Sequence, residues 1–269
     1  EEKKRIQMLL RSAIENDEFH LMYQPIVDIK RGRIASSEAL IRWRPAESDP
    51  IRPDIFIPIA EESGQINNIG SWGLETVSQQ AKHWAENVGE CPSIAINISS
   101  KQLKNDEFRL QFGEMLETYN IPVDKVELEL TETGVMEDPE KCLEELTKLK
   151  ELGVSISIDD FGTGYSSLDY LRRLPLDILK IDQSFTRGIG ESDQDEEIVR
   201  VMIRMAHAMG LKVICEGVET VPQLRFLQEH DCDYIQGYLF SKPRLPEDIT
   251  QMIRGEVDGS YNIMNVEEG

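Results

Sequence analysis

Acidic and amide side chains recur along this sequence at the ends of short apolar segments. The members that could do chemistry together are Glu38, Asn97, Glu129, Asp159, Asp160 and Glu216, with Lys180 as the basic member. A charge flanked by apolar strand residues is costly unless it is paired or bound to a metal. Carboxylate and amide oxygens suit hard divalent ions such as Mg²⁺ or Mn²⁺ rather than zinc. Each residue alone also fits a turn, a helix cap or a solvated surface, so a metal site depends on the fold bringing them together.

Short apolar runs alternate with longer segments of helical periodicity, which is the pattern of an α/β fold. Strands are predicted at His20–Val27, Ile34–Ile41, Ser93–Ile98, Lys125–Leu130, Val154–Ile158, Ile178–Ile181, Lys212–Cys215 and Tyr234–Ile235. Helices are predicted at Trp72–Glu86, Ser100–Tyr119, Pro139–Leu152, Ser192–Met209 and Val221–Glu229. Asp138-Pro139 and Glu219-Thr220 are typical of helix starts, and Gly153 and Gly210 of helix ends.

The first two strands depart from the β/α alternation. Val27 and Ile34 are separated by a polar turn that is too short for a crossover helix, so these strands are predicted to form an antiparallel hairpin. The whole set fits a single barrel better than two domains. In a parallel barrel the carboxyl ends of the strands meet at one mouth, and the acidic residues fall at those ends. Several carboxylates at one mouth would repel one another without cations, so the sequence predicts a divalent metal site there.

The overall composition is strongly acidic. Fifty acidic residues against 29 basic ones give a net charge of −21, which disfavours binding to long nucleic acids. Cys91, Cys142, Cys215 and Cys232 form no recognisable disulfide or zinc framework, which indicates a reducing cytoplasm. The chain begins in a charged stretch without Met, and no apolar run is long enough for a membrane span. We therefore expect a cytoplasmic segment, without membrane contacts of its own, from a longer protein that could itself be membrane-anchored.

Nine motifs, taken in order along the chain, resemble those of bacterial EAL-type cyclic di-GMP phosphodiesterases. The signature is Glu38-Ala39-Leu40 within Ser37–Trp43. The others are Tyr23-Gln24-Pro25-Ile26, Phe56–Glu61, Asn97-Ile98-Ser99, Glu129-Leu130-Thr131-Glu132, Asp159–Gly164, Lys180-Ile181-Asp182, Glu216–Glu219 and Gln236–Pro243. They extend from Phe19 to Pro243, nearly the whole chain. Ser36 and Cys215 depart from the family pattern, where Gly and Ala are more usual, and neither replaces an implied ligand.

The resemblance implies hydrolysis of cyclic di-GMP to linear pGpG on a modified TIM (β/α)8 barrel with an antiparallel first strand. It also implies two Mg²⁺ or Mn²⁺ ions per site, with Ca²⁺ inhibitory. One ion would be held by Glu38, Asn97, Glu129 and Asp159. The second would be held by Asp159 as a bridge, together with Asp160 and Glu216. Lys180, Glu38 and Gln236 would be the catalytic residues, with Lys180 contacting the attacking water and Gln236 helping to orient it.

The substrate contacts implied in the same way are Gln24, Leu40, Arg42 and Tyr238, with Arg42 near a phosphate. Glu132, together with Glu219, would anchor the loop at Phe161–Ser167, which in this family joins the metal site to a homodimer contact. Glu132 lies three residues beyond Glu129, where the strand is expected to give way to a loop. Its carboxylate should therefore face backbone amides of the loop rather than the ions.

These expectations divide the chain into an N-terminal linker or helix at 1–18, an EAL phosphodiesterase domain at 19–254 and a C-terminal tail at 255–269. Sensor or regulatory domains of the full-length protein would lie outside the chain. Two alternatives stay open: a cyclic di-GMP receptor that binds without cleaving, and a scaffold that binds another protein. The complete ligand set favours the enzyme, because a receptor needs no array of metal ligands.

Overall fold

The computed structural model describes residues 1–46, 48–88, 92–164 and 168–255, the side chain of Asp106 excepted. Within these ranges it contains the strands β1 Phe19–Asp28, β2 Arg33–Trp43, β3 Ser93–Asn97, β4 Val126–Thr131, β5 Ser155–Phe161, β6 Ile178–Ile181, β7 Lys212–Cys215 and β8 Tyr234–Ile235. The strands close into a barrel in their sequence order. The expected eight-stranded barrel is confirmed, and three of its strands have the predicted bounds.

The first strand runs against its neighbours, as the short polar turn predicts. Strand β1 pairs antiparallel with both β2 and β8, whereas the other neighbouring pairs are parallel. The ladder between β1 and β2 ends at the pair formed by Asp28 and Arg33, so only a four-residue turn joins the two strands. A connection of that length cannot hold a crossover helix, which forces the antiparallel hairpin.

Helices surround the barrel between the strands. They are α1 Glu2–Leu10, α2 Pro53–Ser63, α3 Ile66–Asn87, α4 Ser100–Leu103, α5 Asp106–Tyr119, α6 Glu132–Met136, α7 Pro139–Glu151, α8 Leu168–Arg173, α9 Gln183–Thr186, α10 Asp193–Ala208, α11 Val221–Glu229 and α12 Pro246–Ile253, with a 3₁₀ turn at Val123–Lys125. Asp138 and Thr220 accept hydrogen bonds from the first turns of α7 and α11 and so cap them. Gly153 and Gly210 follow α7 and α10 with φ angles of +97° and +79°. The predicted helix starts and ends are confirmed.

Two predicted helices differ from those in the structure. The segment Ser100–Tyr119 is not one helix but two, because the Asn105 side chain accepts a hydrogen bond from the Glu107 backbone and starts α5 afresh. The helix predicted at Trp72–Glu86 begins earlier, at Ile66. Helix α2 was not predicted, since Pro58 inside it interrupts the sequence signal for a helix. Among the other unpredicted helices, α6 and α9 are too short to show helical periodicity.

The apolar core has two parts. The larger lies between the barrel and its outer helices, and it includes Leu128, Ile156 and Leu179 from the strands. The smaller lies outside the β1–β2 hairpin. It brings together Leu10 of α1, Phe56 of α2 and Trp43 of β2. Within the described ranges, no helix combines the length and the apolar character that a bilayer span requires. The tail predicted at 255–269 lies outside the described residues beyond its first glycine.

Candidate metal centre at the barrel mouth

Two consecutive carboxylates reach the mouth because strand β5 is irregular where they lie. The register between β5 and β6 shifts between Ile158 and Phe161. Within this irregularity Asp160 has a φ of +55°, which is the left-handed region that side chains rarely adopt. In a regular strand Asp159 and Asp160 would face opposite sides of the sheet. Instead, carboxylate oxygens of Asp159, Asp160 and Glu216 lie within 4.8 Å of one another.

The ammonium group of Lys180 lies at the centre of the carboxylates. Its Nζ is 2.9 Å from Glu216 Oε1, 3.1 Å from Glu129 Oε2, 3.3 Å from Asp159 Oδ1 and 3.5 Å from Glu38 Oε2. The side chains of Lys180 and Glu129 are both 0% exposed. These ion pairs join β2, β4, β5, β6 and the residue that follows β7, so the fold brings together the strand ends that the sequence singled out.

Amide side chains hold Glu38 from two sides. Asn97 Nδ2 donates a 2.7 Å hydrogen bond to Glu38 Oε1, and Gln236 Nε2 donates a 2.7 Å bond to Glu38 Oε2. Gln236 Nε2 is also 3.3 Å from Gln24 Oε1, and Gln24 Nε2 donates to the backbone oxygen of Ser241 at 3.2 Å. Three of the amides singled out by sequence therefore form one network around this carboxylate.

Burial, together with neighbouring acids, raises the pKa values of three carboxylates at the mouth. Burial raises the pKa of Glu216 to about 8 despite the opposing charge of Lys180. Burial and the charge of Asp159 raise the pKa of Asp160 to about 6. Burial also raises the pKa of Glu129 well above its usual range. One lysine is therefore not enough positive charge for this group of carboxylates.

Glu38 and Lys180 shift in the direction of their charged forms. Burial alone would raise the pKa of Glu38, but the charge of Lys180 and the hydrogen bonds from Gln236 and Asn97 outweigh it and lower the pKa. Burial alone would lower the pKa of Lys180, but the surrounding carboxylates outweigh it and raise that pKa well above its usual range. The protein's own groups thus hold Lys180 as an ammonium ion.

The residues at the mouth fit divalent cations. Glu129 Oε1 and Gln236 Oε1 are buried and have no hydrogen-bond partner among the described residues. Buried polar atoms of this kind are normally satisfied, and an ion or ordered water would satisfy them. Carboxylate and amide oxygens are the ligands that Mg²⁺ and Mn²⁺ take, and cations would also reduce the repulsion that raises the pKa of Glu216 and Asp160.

Glu132 holds the segment that follows the acidic pair. Its side chain is buried, and Oε2 accepts hydrogen bonds from the backbone N–H of Gly162 at 2.8 Å and of Gly164 at 3.4 Å. The strand before it gives way to helix α6 rather than to the expected loop, yet the carboxylate faces the amides that were predicted. The other end of the predicted loop, at 165–167, lies outside the described residues.

The implied substrate residues differ in their exposure. Gln24 is buried, Leu40 and Arg42 are half-buried, and Tyr238 is 56% exposed. The Glu219 side chain is exposed, and it forms no hydrogen bond or ion pair with any residue in the described ranges. Its backbone N–H donates to Gln223 Oε1 at 2.8 Å. Among the described residues, no side-chain contact of Glu219 supports its predicted role as an anchor of the loop.

A capping box behind Asn97 was missed by the sequence analysis. The Ser99 hydroxyl accepts a hydrogen bond from the Gln102 backbone, and the Gln102 side chain accepts one from the Ser99 backbone. This box fixes the turn directly after Asn97 and β3. Helix α3 approaches so closely that a Cβ atom on Gly70 would lie 1.8 Å from Gln102 Nε2. The spacing Ser-x-x-Gln was the signal in the sequence that could have identified it.

Comparison with known proteins gives consistent results. The sequence model of the EAL domain matches residues 8–243. Over 247 residues the chain is 41% identical to the signaling protein YkoW of Bacillus subtilis, covering 92% of this chain and 31% of YkoW. It is 42% identical to the cyclic di-GMP phosphodiesterase NbdA of Pseudomonas aeruginosa, covering 87% of this chain and 30% of NbdA. The chain thus spans about a third of the length of these curated relatives.

The barrel also resembles solved structures. The phosphodiesterase PaMucR in complex with c-di-GMP superposes with a TM-score of 0.86 at 36% sequence identity. That match covers 91% of this chain and 99% of the PaMucR chain. The likeness therefore extends over most of this chain and nearly all of the PaMucR chain.

Proposed function

Because the chain belongs to the EAL domain family, we propose that it hydrolyses cyclic di-GMP to linear pGpG with the help of two divalent cations. The observation that carries this proposal is the convergence of carboxylates from successive strand ends on Lys180 at the barrel mouth. Relatives named cyclic di-GMP phosphodiesterases support the substrate. The similar structure of PaMucR, a phosphodiesterase in complex with c-di-GMP, supports the same ligand.

The residues at the mouth divide into two groups of ligands. Asp159, Asp160 and Glu216 already lie together and would hold one ion. Glu38, Asn97 and Glu129 would hold the other, with Asp159 shared between the two groups. When bound, Mg²⁺ or Mn²⁺ supplies Lewis acidity at phosphate oxygens and lowers the pKa of water. Calcium should permit binding yet inhibit cleavage, because its larger and looser coordination shell positions ligands poorly.

Lys180 and Gln236 act on the water that attacks the phosphate. Four carboxylates surround the Lys180 ammonium group. It would contact the attacking water, either as the donor that orients it and stabilises developing negative charge or as the base that accepts its proton. Gln236 Nε2 holds Glu38, while its Oε1, which has no hydrogen-bond partner among the described residues, is available to accept a hydrogen bond from the water.

The substrate would lie across the mouth over the hairpin of β1 and β2. Arg42 would pair with a phosphate, Gln24 and Leu40 would contact the nucleotide from below, and Tyr238 would contact it from the rim. In the free protein the Arg42 guanidinium donates only to the neighbouring Ile41 oxygen, at 2.9 Å, among the residues described. It is therefore available for an anionic group.

The loop held by Glu132 is proposed to reach a homodimer contact, which would couple assembly to the position of Asp159 and Asp160. Regulatory domains of the full-length protein would act through such a coupling. A receptor that binds cyclic di-GMP without cleaving it is the second candidate. The network around Lys180 favours the enzyme, because binding a dinucleotide alone does not require buried carboxylates with raised pKa values.

The experiment that tests the proposal is turnover of cyclic di-GMP in Mg²⁺, Mn²⁺, Ca²⁺ and EDTA, with the products separated by ion-exchange chromatography. We expect pGpG in Mg²⁺ and Mn²⁺ and no product in Ca²⁺ or EDTA. Tight binding of cyclic di-GMP without product in any metal would identify a receptor instead. Full activity in EDTA would exclude the proposed role of the cations.

A further inference from the structure

Two cysteines that are 17 residues apart in the sequence lie in contact beside strand β7. The Cys232 Sγ atom is 3.5 Å from the Cys215 Sγ atom, and both side chains are fully buried as free thiols. Cys215 is the last residue of β7, and Cys232 lies in the turn between α11 and β8. The spacing of the cysteines in the sequence indicated no disulfide framework, so it is the closure of the barrel that brings this pair together.

The backbone connects Cys215 to two residues of the mouth. Cys215 immediately precedes Glu216, whose carboxylate lies 2.9 Å from Lys180 Nζ. The Cys215 backbone oxygen accepts a 3.0 Å hydrogen bond from the N–H of Gln236, the residue whose side chain holds Glu38. A displacement of Cys215 would therefore move Glu216 and Gln236 together.

We propose that Cys215 and Cys232 form a disulfide in the presence of hydrogen peroxide, and that this bond reversibly lowers the activity of the metal centre. In the first step one thiol attacks a peroxide oxygen, the O–O bond breaks, and the products are a sulfenic acid and one water. In the second step the other thiol attacks the sulfenic sulfur, the S–O bond breaks, and a second water leaves. The two thiols together lose two electrons and two protons, which convert the peroxide to water.

The burial of the pair sets the pace of this reaction. Thiols in buried apolar surroundings are slow to react. Strand β8, which follows Cys232, is only two residues long, and local opening of such an element costs less free energy than global unfolding. Hydrogen peroxide is little larger than water and can enter during such openings. The pair should therefore respond to sustained exposure to peroxide rather than to a brief pulse.

A disulfide would displace the mouth because its geometry differs from that of two thiols in contact. An S–S bond is about 2.05 Å long, so the sulfur atoms must approach each other by about 1.5 Å. Part of this shift would pass to the backbone of Cys215, and from there to Glu216 and Gln236. A displacement of about 1 Å at a catalytic group can lower activity about a hundredfold. The expected loss of turnover rests on the proposed function, whereas the formation of the disulfide does not.

The test uses the full chain with Cys91, which lies outside the described residues, replaced by serine. This protein is treated with hydrogen peroxide and desalted, free thiols are counted after denaturation, and cross-linked peptides are identified by mass spectrometry. We expect the loss of two thiols and a cross-link between Cys215 and Cys232. The kcat/KM value for cyclic di-GMP in Mg²⁺ should fall about 10- to 100-fold, and dithiothreitol should restore it.

Single substitutions in the same background separate this pair from the other thiol. Cys215→Ala and Cys232→Ala should each keep their turnover after peroxide treatment, because either change removes one partner of the disulfide. Cys142 is also a fully buried free thiol, so Cys142→Ala is the matched control. Cys142→Ala should lose turnover in peroxide to the same extent as its parent.

Two results would overturn the inference. One is that both thiols stay free after prolonged treatment with peroxide, and the other is a disulfide between Cys215 and Cys232 that leaves turnover unchanged. If the reduced protein binds cyclic di-GMP but cleaves none, the proposed function fails. The number of bound Mn²⁺ ions in the reduced and oxidised forms then decides the inference separately: fewer ions after oxidation would support it, and equal numbers would contradict it.

Discussion

The two ends of the barrel both bury carboxylates, yet they stabilise them to very different degrees. At the amino end, Asp28 accepts hydrogen bonds from the backbone of Lys30 and Arg31, both at 2.9 Å, and from the Arg31 side chain. Asp233 there accepts from the Val213 backbone at 3.1 Å and from the Lys212 ammonium at 2.7 Å. At the carboxyl end, the carboxylates share one lysine, and Glu129 keeps an oxygen without a partner among the described residues.

The pKa values differ in the same way. Burial alone would raise the pKa of Asp28 and Asp233, but hydrogen bonds to Arg31 and to Lys212 outweigh it, so both pKa values are lowered. At the mouth the pKa of Glu216 is raised to about 8 and that of Asp160 to about 6, chiefly by burial. The amino end therefore uses its carboxylates for stability, whereas the mouth keeps them at a cost in stability. In barrel enzymes this division separates the stabilising face from the catalytic one.

The largest effect should come from Asp159→Asn. This change removes a ligand proposed for both ions, so turnover should fall by about a thousandfold or more, beyond the 10–100-fold typical of residues behind the ligands. It also removes one of the crowded charges, so the free energy of unfolding in EDTA should stay the same or increase. Urea unfolding and turnover of cyclic di-GMP measure both quantities. An Asp159→Asn variant that stays active but is less stable than the wild type would contradict this difference between the two ends of the barrel.

The next effect concerns Lys180. Lys180→Ala should lower kcat by a factor of about a hundred or more, within the range of groups that act on a transferred proton or its water. The affinity for cyclic di-GMP, measured in Ca²⁺, should change far less. Lys212→Ala at the amino end is the control and should leave kcat unchanged. Equal losses of affinity and turnover in Lys180→Ala would mean that this residue binds the phosphate and does not act on the water.

A smaller effect is expected for Glu132→Ala. The change frees the backbone of Gly162 and Gly164, so Asp159 and Asp160 remain present but are less well positioned. Turnover at low metal should fall about 10–100-fold, as for residues that orient metal ligands. Extra Mg²⁺ or Mn²⁺ should partly restore it, whereas Asp159→Asn should not recover. An unchanged metal requirement in Glu132→Ala would mean that Glu132 does not act through the metal ligands.

At the amino end, Asp233→Ala should affect stability and leave chemistry intact. It leaves the Val213 N–H and the Lys212 ammonium without their acceptor, at a cost of about 1.5–3 kcal/mol in the free energy of unfolding. Turnover per folded molecule should match the wild type, because Asp233 lies at the opposite end of the barrel from Lys180. A large loss of kcat at full folding would show that the two ends are coupled.

The smallest effect is a pH dependence at the same residue. The lowered pKa of Asp233 means that its contribution is fully present above the unfolded pKa, about 3.9. The contribution is lost as pH falls through the lower pKa of the folded state. The stability difference between wild type and Asp233→Asn should therefore shrink as the pH falls below about 4. A difference that grew on acidification would contradict the assigned direction.

The sequence predicted the barrel well because its strands are apolar runs that end at polar or turn-forming residues. The hairpin followed from turn length alone, and the acidic positions followed from the rule that strand ends meet at one mouth. Helix α2 was not predicted because Pro58 interrupts its helical pattern, whereas the helix is held by the burial of Phe56, Ile59 and Ala60 in the smaller core. The split after Leu103 depended on one side-chain cap at Asn105.

The finer geometry of the site was beyond the sequence for a related reason. The positive φ of Asp160 and the register shift in β5 are imposed by neighbouring strands, and no local residue pattern reports them. The pairing of Lys180 with four carboxylates likewise depends on the closure of the barrel.

The most direct test of the proposal that the mouth binds two cations is a count of bound Mn²⁺ ions by electron paramagnetic resonance. The count is made without substrate, in the wild type and in two variants. We expect two ions for the wild type and for Asp233→Asn, and a loss of ions in Asp159→Asn. Unaltered Mn²⁺ binding in Asp159→Asn, or binding that depends on Asp233 instead, would contradict the assignment of the mouth as the metal centre.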